Sequence, residues 1–423
     1  MILAHQKYGR LEWSSLVEPS INLAKNGVVV NQFLEKILLE SKNEILAEES
    51  LKELFVSNET GLLFKSGQII KRPKLAQTLQ KIAENPEDFY NGSIANDLIK
   101  DITSLGGIMT IKDLNSYSVK VRQSLNVSIG GGEYSLLTVP PPGSGAVVAY
   151  VLNILDNFNK TCDQRDDTNE RILSFHRFIE SLKFAFAKRL HLGDPDFTDN
   201  SPTLADMTSK AFAKSTQKKI GEKAQPLEYY GLTGLKINDE GTGHISVVAP
   251  NGDTVSVTSS INSIFGSKRI SQSTGIILNN EMKDFTIDTE SQKSPNGVAG
   301  GKRPLSSMSP SIIVDRNGET KLVIGGIGGT RIISSVSQVL YETLWRCYSL
   351  KESTDTSRLY YDINTNNVLY EAEFPKVYID GLYHFGHQLE ADHIISSVYS
   401  ILRTNSTLHT LVDHRKGGSS DGI

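Results

Sequence analysis

Through the first hundred residues, apolar positions recur at helical spacing; in the second half they alternate. Trp13 to Asn26 reads as an amphipathic helix, with Gly27 where a left-handed residue is wanted. Gln32 to Glu48 reads as a second helix, with Leu34, Ile37, Leu38, Ile45 and Leu46 turned to a core. Pro73-Lys74-Leu75 opens another, and Ile94 to Leu105 forms a further one that Gly106-Gly107 closes. Leu125–Ile129 and Tyr134–Val139 flank three glycines as a hairpin. Pro140 to Gly145 then breaks the chain and opens an apolar helix. Its glycines form either an anion cradle at a helix N-terminus or a tight strand-to-helix turn. Ile172, Phe175, Ile179, Leu182 and Phe186 mark one face of a long helix ending near Leu190, on which His176 reads as structural. Gly193-Asp194-Pro195-Asp196 reads as a turn, since it lacks the further ligands of a calcium loop.

From Gly221 to Gly241 the chain is polar and irregular, and it leads directly into Thr242. Beyond that point the pattern is mostly β. His244–Val248 and Thr254–Thr258 bracket Asn251-Gly252, and Ser311–Val314 and Lys321–Ile324 bracket Asn317-Gly318, both strong hairpin signals. A helix follows with Ile333, Val336, Leu340 and Leu344 inward, and the tail reads as short strands with one helix, Ala391 to Arg403. The class is α+β, with helices covering stacked antiparallel sheets.

The chain of 423 residues is long enough for a large core and one or two domains. A hydrophobic content of 38%, a charged content of 22% and a net charge of −4 describe an ordinary globular protein with no nucleic-acid footprint. Cys162 and Cys347 are far apart and have no metal-ligand spacing, so buried or free thiols are expected ahead of a disulfide. Five Asn-x-Ser/Thr sequons, at Asn58, Asn91, Asn126, Asn159 and Asn405, favour an extracytoplasmic protein. The first residues carry no signal peptide, and the longest apolar stretch, Ala146 to Leu155, is too short to span a bilayer.

The candidate chemistry begins at Gly241-Thr242-Gly243. A threonine hydroxyl needs a base. Cleavage before Thr242 would create one, an α-amine with a reference pKa of about 7.7–8.0. The same tripeptide is also an ordinary strand start. Glu281 and Asp284, three apart, face the same way if the segment turns helically, and with Asn262 they suit a substrate ammonium; a solvated acidic face would look the same. Ser306-Ser307 follow a Gly/Pro-rich loop and suit a carboxylate, or simply a polar strand entry. Gly328-Gly329, between a strand and a helix, suit an oxyanion nest or a tight turn. His-Glu-x-x-His, Cys-x-x-Cys and nucleotide-loop motifs are absent from the sequence.

In order and spacing, Thr242-Gly-His-Ile-Ser, Ser260-Ile-Asn262, Gly275 through Asn279-Asn280-Glu281-Met-Lys-Asp284, Pro304-Leu-Ser306-Ser307 and Gly328-Gly329-Thr330 resemble the γ-glutamyltranspeptidase (glutathione hydrolase) family. The likeness extends upstream to Glu18-Pro-Ser-Ile, Phe89-Tyr-Asn-Gly-Ser and Gly107-Ile with Asp113-Leu. It implies an N-terminal-nucleophile (Ntn) hydrolase, a four-layer αββα sandwich with two stacked antiparallel sheets. It implies autocatalytic cleavage between Gly241 and Thr242, giving a large-subunit portion, 1–241, and a small catalytic subunit, 242–423, that stay together as a heterodimer. Thr242 would be the nucleophile, supported by the hydroxyl of Ser260, where many relatives have threonine. Gly328 and Gly329 would form the oxyanion hole. Asn262, Glu281 and Asp284 would hold the γ-glutamyl amine, and Ser306 and Ser307 its α-carboxylate. Glutathione and other γ-glutamyl compounds would be donors, with water, amino acids or dipeptides as acceptors and no metal or organic cofactor. Full-length relatives of this kind are secreted or face outward on the plasma membrane. They carry an earlier stretch with an arginine that clamps the α-carboxylate, so the chain reads as an N-terminally truncated member. The alternative is an impaired relative acting as a binding partner.

Overall fold

The computed structural model describes residues 1–158, 162–164, 167–232, 242–287, 294–392, 396–405 and 407–422. They form two compact units, Met1–Val121 with Ile264–Asn280, and Arg122–Ser263 with Glu281–Ile423. This division by packing is distinct from the covalent division expected at Thr242.

The first unit is helical. Trp13–Asn26, Pro73–Glu84 and Ser93–Ser104 fall where the apolar spacing puts them. The expected single helix from Gln32 to Glu48 is instead two, Gln32–Glu40 and Lys42–Ala47, broken at Ser41. Ser41 is buried, and the bend there lets both Leu38 and Ile45 enter the core beside Leu51, Phe55 and Ile270. The distant segment 264–280 is sewn on by polar contacts. Arg72 Nη2 donates to the Gly275 carbonyl at 2.8 Å, and Asp101 accepts from the Ser271 hydroxyl at 2.6 Å and the Ser273 N–H at 2.8 Å.

The second unit is built on a six-stranded antiparallel sheet. Its spatial order is Thr407–Val412, Ser397–Thr404, Thr320–Ile327, Ser311–Asp315, Tyr134–Thr138, Leu125–Ile129. Helices Gly145–Leu155 and Arg331–Leu344 pack on one face. The first of these is buried all round, as its near-continuous apolar sequence requires. A two-stranded sheet, the hairpin Gly243–Val248/Thr254–Ser259, packs on the other face. Strand Thr320–Ile327 therefore serves two layers. Leu322 and Ile324 join the helical core, while Gly325 meets the hairpin. Both Asn-Gly turns occur as expected, with Gly252 and Gly318 at positive φ.

The tail departs from expectation. Ala391 to Arg403 is not a helix: Leu389–Asp392 and Ser397–Thr404 are strands. Val398, Ile401 and Leu402 fit a helical stripe on paper, but burial alternates along 398–402 because the segment pairs with Thr320–Ile327. The helix of this region is Lys376–His384.

The cysteines also depart from expectation. Cys162 and Cys347 form a disulfide across 185 residues, with Cα atoms 5.3 Å apart. Cys162 follows the buried helix Gly145–Leu155 and Cys347 follows helix Arg331–Leu344, and these two helices pack together. Sequence distance gave no hint of that proximity. A loop this long gives a cross-link worth roughly 3–5 kcal/mol. Cys347→Ser is expected to lower the Tm by about 3–6 °C. An unchanged melting curve would show that the bridge does not form.

Candidate active site

The hairpin inverts the usual polarity of a half-buried sheet. His244, Ser246, Thr254, Ser256 and Thr258 face inward, while Ile245, Val247, Val255 and Val257 face solvent. The inward residues bond the sheet below: Thr254 Oγ1 to Thr320 Oγ1 at 2.9 Å, Ser256 Oγ to the Ile324 carbonyl at 3.2 Å, Ser246 Oγ to the Tyr399 carbonyl at 3.3 Å. The His244 ring lies on Gly325, where a Cβ would fall 2.1 Å from it. Its Nδ1 bonds Thr258 Oγ1 at 2.8 Å and its Nε2 bonds Ser246 Oγ at 3.0 Å. Burial pulls the His244 imidazole down to about 4, so it is neutral at pH 7.

These contacts fix the direction of the hairpin. Thr254 meets Thr320 and Ser256 meets Ile324, so Thr254–Ser259 runs the same way as Thr320–Ile327. Ser260 and Gly328-Gly329 therefore leave at the same end of the sandwich. Gly243 pairs with Ser259, which puts Thr242 opposite Ser260 at that end. Thr242 is half-buried, and its carbonyl accepts from Lys416 Nζ at 3.2 Å. Burial lowers the Lys416 pKa. Gly241, the other side of the expected scissile bond, lies outside the described residues, as does the sequon Asn159. Gly328 and Gly329 have φ of 112° and 62°, successive positive values that only glycine adopts without strain, and helix Arg331–Leu344 begins directly after them.

The expected amine pocket is assembled on irregular backbone. Asn262 is buried at φ 67°, a left-handed conformation that asparagine tolerates. Its main-chain N–H donates to Ser260 Oγ at 2.8 Å and its Nδ2 donates to Asp284 Oδ1 at 2.5 Å. Glu281–Asp284 is one 3-10 turn. A residue whose role the sequence did not reveal, Asn296, ties this turn to the serines: its Nδ2 donates to the Asp284 carbonyl at 2.7 Å and its Oδ1 accepts the Leu305 N–H at 2.8 Å. Asp194, in the turn expected at 193–196, accepts the Arg303 N–H at 2.8 Å and pairs with Arg122 at 3.0 Å. Ser306 N–H donates to the Pro142 carbonyl at 2.8 Å. Ser307 is buried, and its hydroxyl accepts from Arg189 Nη2 at 3.2 Å. The Pro140–Gly145 turn thus serves as a support for Ser306-Ser307.

His176, Glu180 and His387 bring possible metal-ligand atoms within 4.8 Å of one another. A cation already belongs to the cluster: Lys183 Nζ lies 3.0 Å from Glu180 and 3.4 Å from His387 Nδ1. His176 bonds His387 at 2.8 Å and the Gly221 carbonyl at 2.9 Å, and Tyr230 donates to Glu180 at 2.7 Å. The cluster is a hydrogen-bonded core network that ties residues 221–230 to the long helix Thr168–Arg189.

A family profile described as Gamma-glutamyltranspeptidase matches residues 1–423. The chain is similar to Scoloptoxin SSD14 of Scolopendra dehaani, with 41% identity covering 100% of this chain and 74% of that protein. It is similar to Glutathione hydrolase 2 of Arabidopsis thaliana, with 39% identity covering 99% of this chain and 73% of that protein. Among solved structures, a cephalosporin acylase from Bacillus halodurans superimposes with a TM-score of 0.84 at 23% identity, covering 99% of this chain and 76% of that one. The fold is the α+β Ntn-hydrolase sandwich expected from the sequence.

Two expectations follow from this geometry. Gly325→Ala would push the His244 ring off its two hydroxyl partners, at a cost of about 2–4 kcal/mol; an unchanged Tm would contradict the close approach. Burial also lowers His176, and burial with the nearby Lys183 and His176 holds His387 well below the ordinary histidine range. Between those lowered values and about 6.5 the unfolded chain binds more protons. Stability is therefore full above pH 6.5 and falls with pH below it, by up to about 1.4 kcal/mol per pH unit for each histidine in its window. Melts at decreasing pH should show Tm dropping below pH 6.5, and a level Tm down to pH 5 would contradict neutral burial.

Proposed function

The chain belongs to the gamma-glutamyltranspeptidase family, and from that premise we propose that it is a γ-glutamyltransferase and glutathione hydrolase working through Thr242. The observation that carries the reading is the hairpin register: it sets Thr242 opposite Ser260, at the end of the sandwich where Gly328-Gly329 emerge. Supporting it, Asn262, two residues beyond Ser260, is already joined to Asp284.

The precursor cuts itself when the Thr242 hydroxyl attacks the Gly241 carbonyl: the C–N bond breaks, which frees the Thr242 α-amine and leaves Gly241 as an ester on Oγ1, and hydrolysis of that ester releases the Gly241 carboxylate and restores the hydroxyl. That amine is then the base for its own hydroxyl. Oγ1 attacks the γ-carbonyl of glutathione, and the proton passes through the amine to the departing cysteinylglycine nitrogen. Gly328 and Gly329 N–H groups receive the tetrahedral oxyanion, and the Ser260 hydroxyl orients the nucleophile. Glu281, Asp284 and the Asn262 carbonyl oxygen hold the substrate ammonium; Ser306 and Ser307 hold its α-carboxylate. Water resolves the γ-glutamyl ester in hydrolysis, and the amine of an amino acid or dipeptide resolves it in transfer. The residues need no metal or organic cofactor for these steps. Residues 1–241 and 242–423 remain associated as the two subunits.

The four described sequon asparagines, Asn58, Asn91, Asn126 and Asn405, are all exposed, which supports an extracellular or luminal setting. Among the described residues no helix is long and apolar enough to cross a membrane.

The decisive measurement is a denaturing gel run with and without reductant, paired with turnover of a γ-glutamyl anilide. Cys162 and Cys347 lie on opposite sides of Thr242, so the cut chain should run as one species unreduced and as two after reduction. Thr242→Ala should remain one species under both conditions and lose turnover by at least about a thousand-fold. A chain that stays whole after reduction and does not turn over the anilide would favour the impaired relative.

A further inference from the structure

Arg189 closes the long helix Thr168–Arg189 and is 2% exposed. It reaches a residue expected to bind substrate. Its Nη2 donates to Ser307 Oγ at 3.2 Å, while its Nε donates to Ser144 Oγ at 3.1 Å. Ser144 in turn donates to the Ser306 carbonyl at 2.6 Å, and its own N–H donates to the Met308 carbonyl at 3.0 Å. One buried cation thus governs both serines: Ser307 through its hydroxyl, Ser306 through its main chain.

The chemistry of the donors gives this arrangement a direction. A serine hydroxyl has one proton and two lone pairs, and a guanidinium has donors only. Arg189 can therefore only fill a lone pair of Ser307, so the Ser307 proton points away from it. A guanidinium keeps its charge at any working pH, and a hydroxyl that accepts from it becomes a stronger donor on its other side. A hydroxyl oriented and polarised in this way suits an anion.

We propose that Arg189 is a positioning residue for the substrate α-carboxylate: acting through Ser307 and, by way of Ser144, Ser306, it sets the preference for γ-glutamyl groups over acyl groups that lack that carboxylate. The inference rests on the reading of Ser306-Ser307 as the carboxylate site.

The test compares glutamate with 4-aminobutyrate, which keeps the amine and the γ-carboxylate but lacks the α-carboxylate. Calorimetric titration of each into the chain and into Arg189→Met and Arg189→Lys is combined with KM and kcat for a γ-glutamyl anilide. Arg189→Met should weaken glutamate by about ten- to a hundred-fold and raise KM comparably. Its affinity for 4-aminobutyrate and its kcat should stay within a few-fold. Arg189→Lys keeps the charge but not the fork, so it should lose part of the glutamate preference; if Arg189→Met does not fold, this variant decides by the same readouts. Undiminished glutamate preference in the variants, or equal loss of both ligands, overturns the role of Arg189 and leaves the enzyme reading intact. If the unsubstituted chain itself binds glutamate no better than 4-aminobutyrate, the carboxylate reading of Ser306-Ser307 fails, and the role of Arg189 fails with it.

Discussion

The close approach of the His244 ring to the backbone at Gly325 is the contact on which the geometry of the site depends. A hairpin whose inner face is hydroxyls and one imidazole gains little from apolar burial. Its position is set instead by hydrogen bonds, which are short-ranged and directional. Those bonds form only if the hairpin lies close to strand Thr320–Ile327, and that closeness requires a residue without a side chain at 325. Burial in turn keeps His244 neutral, so both its nitrogens serve the hydroxyls of Thr258 and Ser246 without placing a charge inside. The next residue, Gly326, faces the opposite way, 3.4 Å in Cβ terms from Val336 of the covering helix. Two adjacent glycines thus bring two layers onto one strand, and that strand ends in Gly328-Gly329.

The side of the site proposed to bind substrate follows a different rule. No regular element presents Asn262, Asp284, Ser306 and Ser307; they lie on turns and extended segments, where backbone order must come from side chains. Asn262 is held by Ser260 and bonded to Asp284, Asn296 bridges the Asp284 carbonyl to Leu305, and Asp194 holds Arg303. Each bond fixes a donor or acceptor before any ligand arrives, which reduces the ordering that binding would otherwise require. Loops reinforced in this way behave as a scaffold, and asparagine suits the role because one amide can donate and accept at once.

What was legible in the sequence divides along the same line. The two Asn-Gly hairpins, the all-apolar helix Gly145–Leu155 and the amphipathic helix Trp13–Asn26 are local patterns, and each was readable from a dozen residues. The motif residues were readable through the family resemblance. The break at Ser41 was not, because the stripe of Leu34, Leu38 and Ile45 is compatible with one helix or two. The strand Ser397–Thr404 was mistaken because its apolar residues satisfy both periods, and only pairing with Thr320–Ile327 decides between them. The disulfide, Asn296 and Arg189 were invisible for a common reason: their meaning lies in a partner distant in sequence. Arg189 at the polar end of an amphipathic helix looks like a dipole-complementing cation until Ser307, 118 residues on, is found against it.

The proposed cleavage before Thr242 poses a physical question of its own, since a cut chain loses the entropic advantage of connectivity. The central sheet answers it. Tyr134–Thr138 precedes Thr242 in the chain and Ser311–Asp315 follows it, yet they are neighbouring strands in continuous antiparallel register from Tyr134 opposite Asp315 to Thr138 opposite Ser311. The helices above are interleaved likewise: Gly145–Leu155 precedes Thr242, Arg331–Leu344 follows it, and they pack against each other in one core. The Cys162–Cys347 bridge adds a covalent link across the same boundary. To separate the two pieces, the sheet would have to be split between its fourth and fifth strands and the apolar cluster shared by the two helices opened, which amounts to unfolding the unit. A break before Thr242 would therefore cost the fold little while freeing the backbone nitrogen that the proposed hydroxyl chemistry needs.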